Sequence, residues 1–295
     1  MLWPSIDQNP KLRSPGGRRG NYTGGVQVMG QALTEREIEA VVREVTDEEV
    51  AFYQEYGWVM MKQLVDPEFV SELLTVGQDW LERYGEDKGG RRAVGLVLQE
   101  EAEPFRSFMF SERMSKNAMR LVNRKRLKGV DIPLRYRADV FREKPPGAAR
   151  THYHQDSAQH GSDRVGELQF WLALVEVTPE MSAMRFVSRS HREGPLGSVG
   201  GDGKGDLLEQ FPNLTSVLEL SPPFHYQPGD CTVHHGYTIH GAPVNSTDKS
   251  RWSYLFSYSP SDTRYWNGTA DNWGNERKHL SDADNPTVYF PIGTL

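Results

Sequence analysis

Apolar residues recur along this chain with two periods, and the change from one to the other divides it. Phe69, Leu73, Val76 and Trp80 recur three or four positions apart, the spacing that gathers side chains on one face of a helix. Asp66-Pro67 just before them supplies an N-cap and a first-turn proline. Thr46 with Glu49 makes a second helix start, of the capping-box kind. Between the two, Trp58-Val59-Met60-Met61 reads as a strand. From about Leu134 to Tyr258 strand patterns dominate. Gln169 to Val177 is an apolar run rich in aromatic and β-branched residues, which predicts a buried strand. In Arg251 to Tyr258, Trp252, Tyr254, Phe256 and Tyr258 alternate with other residues, so a strand turns these aromatics to one face and Arg251 with Ser253 to the other. The order predicts a mainly β core with flanking helices.

Turn residues punctuate this pattern. Pro145-Pro146-Gly147 precedes one strand region, and Pro228-Gly229-Asp230 opens the run Cys231 to His240. The proline- and glycine-rich start predicts an irregular N-terminal arm, drawn at residues 1–45, ahead of a single domain over 46–295 whose β-core spans about 130–260. The glycine-rich connection Gly197 to Gly205 lacks the residues of a phosphate loop.

Length and charge narrow the partners. A chain of 295 residues can bury a sizeable core as one unit, and its net charge of -6 argues against a general nucleic-acid or anionic-membrane binder. No stretch approaches the roughly 20 apolar residues of a membrane helix, and no targeting segment is visible. Cys231 is the only cysteine, which precludes an intramolecular disulfide and fits a reducing compartment. These features predict a cytoplasmic protein acting on a small molecule, without nucleic-acid or membrane partners.

The chemistry concentrates in Arg150-Thr151-His152-Tyr153-His154-Gln155-Asp156 and, further on, in His240 and Arg251. His154 and Asp156 stand two positions apart, so on a strand both point at one cation, and His240 would add a second imidazole from a distant strand. Two imidazoles and one carboxylate with open positions are the ligand set of non-haem Fe(II) oxygenases. His152 shares the strand face and is read as a neighbour of the ligands or a substrate contact; His234 and His235 are read as core or supporting residues. A guanidinium at Arg251, beginning an aromatic strand, would need an anion to offset its desolvation.

These segments resemble the phytanoyl-CoA dioxygenase family of Fe(II)- and 2-oxoglutarate-dependent oxygenases, over most of the chain. Thr46 to Val59 resembles the family's first helix and strand, His154-Gln155-Asp156 its first metal motif, and Met184 to His191 its segment ending in Gly-Ser-His. His240-Gly241-Ala242-Pro243-Val244-Asn245, with Arg251 eleven positions after His240, resembles its distal metal ligand and cosubstrate arginine. The chain departs at Ser188-Arg189, where Pro-Gly is commoner, and at Ala242, where serine is frequent. The resemblance implies a double-stranded β-helix, or jelly roll. It also implies Fe(II) on His154, Asp156 and His240, O2 as oxidant, and 2-oxoglutarate as cosubstrate with Arg251 on its far carboxylate. Thr151 and Trp171 resemble positions near the cosubstrate, and Ser253 could add a hydrogen bond there. The implied activity is oxidation of an unactivated C–H bond by hydroxylation, desaturation or cyclisation, on a small molecule such as a natural-product intermediate. A carboxylate at Asp156 argues against halogenation.

Other readings stay open. A cupin-type metalloenzyme could use His152, His154 and a later histidine, but it gives Arg251 no role; a non-catalytic jelly-roll binding module would not need the full set. Phe108, Met109, Tyr265 and Trp266 could line a substrate pocket, and Arg91, Arg92 and the Arg124 cluster a basic rim. Gly197 to Gly205 and Asp262 to Trp273 could close over the substrate.

Overall fold

The computed structural model describes residues 31–87, 90–95, 102–122, 133–159, 165–197 and 205–264. Two helices, α1 (Glu35–Val41) and α2 (Asp47–Tyr56), precede β1 (Trp58–Met61) and the long α3 (Pro67–Tyr84). Next come β2 (Glu86–Asp87), β3 (Arg92–Val94), α4 (Phe105–Met109) and α5 (Glu112–Val122). The core follows with β4 (Leu134–Lys144), β5 (Thr151–His154), β6 (Leu168–Ala173) and β7 (Arg185–Phe186). After the short helices α6 (Leu207–Gln210) and α7 (Leu214–Val217) it closes with β8 (Cys231–His235), β9 (His240–Ala242) and β10 (Arg251–Pro260). The strands form two antiparallel sheets: a seven-stranded one ordered β1-β8-β6-β10-β4-β3-β2 and a three-stranded one ordered β5-β9-β7. This is the expected double-stranded β-helix with helices outside it.

The large sheet has an outer and an inner face, and residue alternation decides what each carries. Outward, Phe141 of β4, Phe170 of β6, Val233 of β8 and Tyr254, Phe256 and Tyr258 of β10 join one core with Phe69, Leu73 and Val76 of α3 and Phe105 and Phe108 of α4. Each such side chain taken fully from water contributes about 1.5–3 kcal/mol. The helix starts are those the sequence predicts: Thr46 and Glu49 close a capping box on α2, and the Asp66 carboxylate accepts from the backbone N–H groups of Glu68 and Phe69. Gly77 lets α3 lie on the sheet, because a Cβ there would meet the Phe141 ring at 2.1 Å. Inward, Trp58, Trp171, Phe186, Ala242 and Leu255 form a second cluster between the sheets.

Three expectations change. Residues 35–41 fall within the segment 1–45 expected to be irregular, yet they form α1, started by a capping box of Thr34 and Glu37. Ile38, Val42 and Val45 belong to the outer core, and Asn117 pins the segment by accepting from Val45 N and donating to Arg43 O. Phe108 and Met109 are not pocket residues. Both are fully buried where α4 packs on the large sheet, with Phe108 meeting Phe69 and Phe256 edge-on and Met109 O accepting from the Tyr258 hydroxyl. Finally, Cys231 to His240 is not one run: it breaks into β8 of the large sheet and β9 of the small one. The break is a turn closed by Thr238 N donating to His235 O at 2.7 Å, and Gly236 permits it, since a Cβ there would meet Ser157 Oγ at 1.9 Å. The Arg124 cluster, Tyr265, Trp266 and most of the two proposed covering segments lie outside the described residues.

Candidate metal and cosubstrate site

That break between β8 and β9 builds the site. His234 ends the inner face of the large sheet and His240 begins the small sheet, and their rings lie 4.1 Å apart between centroids. His154, the last residue of β5, pairs with His240 across the small sheet, with ring centroids 4.3 Å apart. Asp156 sits in the bend just past β5 and not on the strand itself. Its carboxylate reaches back to His154 Nε2 at 3.3 Å and His240 Nε2 at 3.6 Å. One ligand atom from each of His154, Asp156 and His240 falls within 4.8 Å of the others, the only such histidine, cysteine or carboxylate group found among the described residues.

The two imidazoles are oriented alike. His154 Nδ1 contacts the backbone carbonyl of His152 at 2.7 Å, and His240 Nδ1 that of Thr238 at 3.0 Å. A carbonyl only accepts, so each Nδ1 carries the proton and each Nε2 offers its lone pair to the shared centre. Burial and the neighbouring His234 hold His240 well below the usual histidine range, which favours the neutral ring that a metal requires. Burial alone would raise Asp156, but the imidazoles of His240, His154 and His234 gathered around it outweigh that and hold the carboxyl well below its usual range.

Gln155 and His234 hold this arrangement in place. Gln155 is fully buried, donates to Gly194 O and Tyr237 O, and accepts from Leu196 N, so the residue between the two motif positions ties their bend to the turn before β9. His234 Nε2 lies 3.1 Å from Asp156 Oδ2 and fixes that carboxylate from the large sheet. The motif itself was the only sequence signal for Gln155, and His234, read from the sequence as a core or supporting residue, stands against Asp156. His152 turns its ring toward Asp206, 3.7 Å away, and stays outside the cluster.

On the inner face of the large sheet, Arg251 pairs with Lys144 across β10 and β4, and Ser253 with Arg142. Arg251 is 2% exposed, donates from Nη1 to Ser182 O at 2.5 Å, and stacks over Trp171 at 5.2 Å. Arg251 Nε, Ser253 Oγ and Trp171 Nε1 are buried without hydrogen-bond partners among the described residues. A buried guanidinium with its own Nε unpaired and two orphaned donors beside it fits the carboxylate end of an acid ligand, which only accepts. Burial, with Arg142 and Arg91 nearby, lowers Arg251 to about 9, still charged at neutral pH. Thr151 stands opposite Ala242 on the small sheet, half-buried.

A double-stranded β-helix carrying two histidines and an aspartate at one end of its inner space defines the class of mononuclear iron oxygenases. The model of the phytanoyl-CoA dioxygenase (PhyH) family matches residues 53–253. The chain belongs to that family of Fe(II)- and 2-oxoglutarate-dependent oxygenases. It is 25% identical over 154 residues to the bovine (Bos taurus) phytanoyl-CoA dioxygenase domain-containing protein 1, covering 49% of this chain. The chain spans about half (50%) of the length of that curated relative. Its fold matches the non-heme alpha ketoglutarate dependent carbocyclase SnoK from nogalamycin biosynthesis (TM-score 0.64, 22% identity, 90% of this chain and 98% of that one). It also matches EctD from S. alaskensis (TM-score 0.62, 17% identity, 75% of this chain and 79% of that one). The departure at Ser188-Arg189 has a structural counterpart. Arg189 takes the left-handed conformation (φ 67°) that suits glycine, and is held there by its ion pair with Glu55 and its stacking on Tyr56.

Proposed function

We propose that the protein is an Fe(II)- and 2-oxoglutarate-dependent oxygenase that oxidises a C–H bond of a small molecule, with His154, Asp156 and His240 as the metal ligands. The observation that carries this reading is the convergence of three ligand atoms whose imidazoles are both turned Nε2-inward by backbone carbonyls. Iron held there supplies the family's oxidising chemistry, in which O2 and 2-oxoglutarate are consumed, succinate and CO2 are released, and a substrate C–H bond is oxidised. The chain's own residues bind and orient. Arg251 takes the C5 carboxylate of 2-oxoglutarate, with Ser253 and Trp171 Nε1 donating beside it. His234 and Gln155 keep Asp156 and His154 in register, and Thr151 stands at the small-sheet edge of the cosubstrate space. Trp58, Phe186 and Leu255 form apolar walls that suit a compact substrate, such as a natural-product intermediate, and limit water. SnoK and SnoN, both from nogalamycin biosynthesis, share the fold, in line with that substrate class.

Anaerobic titration with Fe(II), with and without 2-oxoglutarate, tests the assignment. A visible charge-transfer band that needs both components is expected. A cupin-type enzyme would bind the metal without the band, and a binding module would bind neither; either result would sink the proposal.

A further inference from the structure

The inner face of β4 carries more positive charge than the iron site can use. Arg142 and Lys144 stand directly opposite Ser253 and Arg251, so all four side chains share that face, and Arg91 lies two residues before Ala93, the β3 partner of Arg142. The opposite face differs: there Arg92 pairs with Glu82 and Glu143. Among the described residues, Arg91, Arg142, Lys144 and Arg251 have no carboxylate partner in any ion pair. Arg91 donates to the backbone carbonyls of Ala149 and Arg150, and Lys144 to Ser182 Oγ and Pro243 O, whereas the Arg142 guanidinium has no hydrogen bond to any described residue.

Charge bookkeeping singles out Arg142 and Arg91. The charges of Fe(II), Asp156, the 2-oxoglutarate dianion and Arg251 cancel. Burial, with Arg251, Arg91 and Arg142 nearby, lowers Lys144 to about 5, and its Nζ is already engaged by Ser182 Oγ and Pro243 O, so it is a weaker anchor for a further anion than Arg142. Arg142 and Arg91 remain as neighbouring cations that pair with no carboxylate among the described residues, an arrangement whose mutual repulsion is costly unless a ligand offsets it. Arg142 also feels the Asp156 carboxylate, so the two lie within electrostatic reach of one another.

We propose that the substrate carries an anionic group, a carboxylate or a phosphate monoester, that docks on Arg142 with Arg91 behind it. This rests on the iron and 2-oxoglutarate reading, since those ligands use up the other charges. A planar guanidinium accepts either anion in two-point contact, and binding there fixes the substrate relative to the metal from the β4 side.

The test is calorimetric titration of benzoate, phenyl phosphate and benzamide into protein loaded with Mn(II) and 2-oxoglutarate, comparing wild type with Arg142→Gln and Arg142→Lys. At least one anion is expected to bind wild type roughly tenfold or more tightly than the neutral amide. Arg142→Gln should abolish that preference while leaving benzamide as before, which a misfolded variant would not do, and Arg142→Lys should restore part of it. The tighter of the two anions names the group. No preference in wild type, or the same preference in Arg142→Gln, overturns the proposal. A raised 2-oxoglutarate requirement for the Fe(II) band in Arg142→Gln also overturns it, because Arg142 would then serve the cosubstrate. Absence of the band in wild type overturns the iron reading instead, and the anion preference of metal-free protein then decides the Arg142 assignment by itself.

Discussion

On its outer face β10 presents Tyr254, Phe256 and Tyr258 to the helices, and on its inner face it presents Arg251 and Ser253 to the space between the sheets. The outer face is complete within the chain. Phe256 stacks on Phe170 at 4.9 Å and meets Phe108 edge-on, and the tyrosine hydroxyls donate to Asp139 and to Met109 O. The inner face holds a buried guanidinium and leaves Arg251 Nε and Ser253 Oγ unmatched. One strand therefore does two jobs. Its outer residues hold the fold, and its inner ones suit a ligand, so mutations on the two faces should separate stability from binding.

The largest expected effect lies at the metal cluster beside the inner face. Replacing Asp156, His154 or His240 by Ala should eliminate both the Fe(II)–2-oxoglutarate band and 2-oxoglutarate-dependent succinate formation, while the thermal transition stays cooperative. Asp156→Ala carries the most information, because it removes the only carboxylate of the set and also the acceptor for His234. Normal turnover in that variant would refute the ligand assignment.

On the outer face, Phe256→Ala should lower stability by about 3–5 kcal/mol, the usual loss for an aromatic core residue packed on all sides. Denaturant unfolding reads this directly. The fraction that remains folded should bind 2-oxoglutarate with unchanged affinity, and a matching loss of cosubstrate affinity would show that the two faces are not independent.

Arg251→Ala reverses the pattern. Removing one partner of a buried charge-assisted contact costs roughly 2–5 kcal/mol, so the 2-oxoglutarate concentration at half-saturation should rise well over tenfold while metal affinity changes little. Arg251→Lys should recover only part, since an ammonium lacks the planar two-point geometry. An unchanged cosubstrate requirement would remove Arg251 from this role.

What could be read from the sequence follows the same division. Alternation in β10, helical spacing in α3 and the caps at Thr46 and Asp66 are local patterns, and each appears in the fold where local physics puts it. His154, Asp156, His240 and Arg251 were legible because their spacing echoes a family motif. The partners of Gln155, the approach of His234 to Asp156 and the unpaired state of Arg142 depend on strands far apart in sequence, so no local period encodes them. The division of Cys231 to His240 between two sheets was missed for a related reason: its apolar and histidine pattern runs straight through, and only the tight packing of Gly236 on Ser157 turns the chain. Thr34 and Glu37 are the opposite case. Their capping box was present in the sequence but overshadowed by the proline- and glycine-rich composition before it.

The smallest effect tests the outer layer at its margin. The Thr46 side chain accepts from Glu49 N while Glu49 returns to Thr46 N, satisfying two backbone donors at the start of α2. Thr46→Ala leaves Glu49 N without its partner, a loss typically worth about 1 kcal/mol. For a domain somewhat larger than 150–250 residues that is a fall in Tm of about 2–4 °C at most. Thr46→Ser keeps the acceptor and should recover nearly all of it. Because α2 packs against the outer core, neither substitution should change the 2-oxoglutarate concentration at half-saturation. A shift there comparable to that of Arg251→Ala would mean that α2 positions the inner face through Tyr56 and Glu55, which hold Arg189 near the turn into the site.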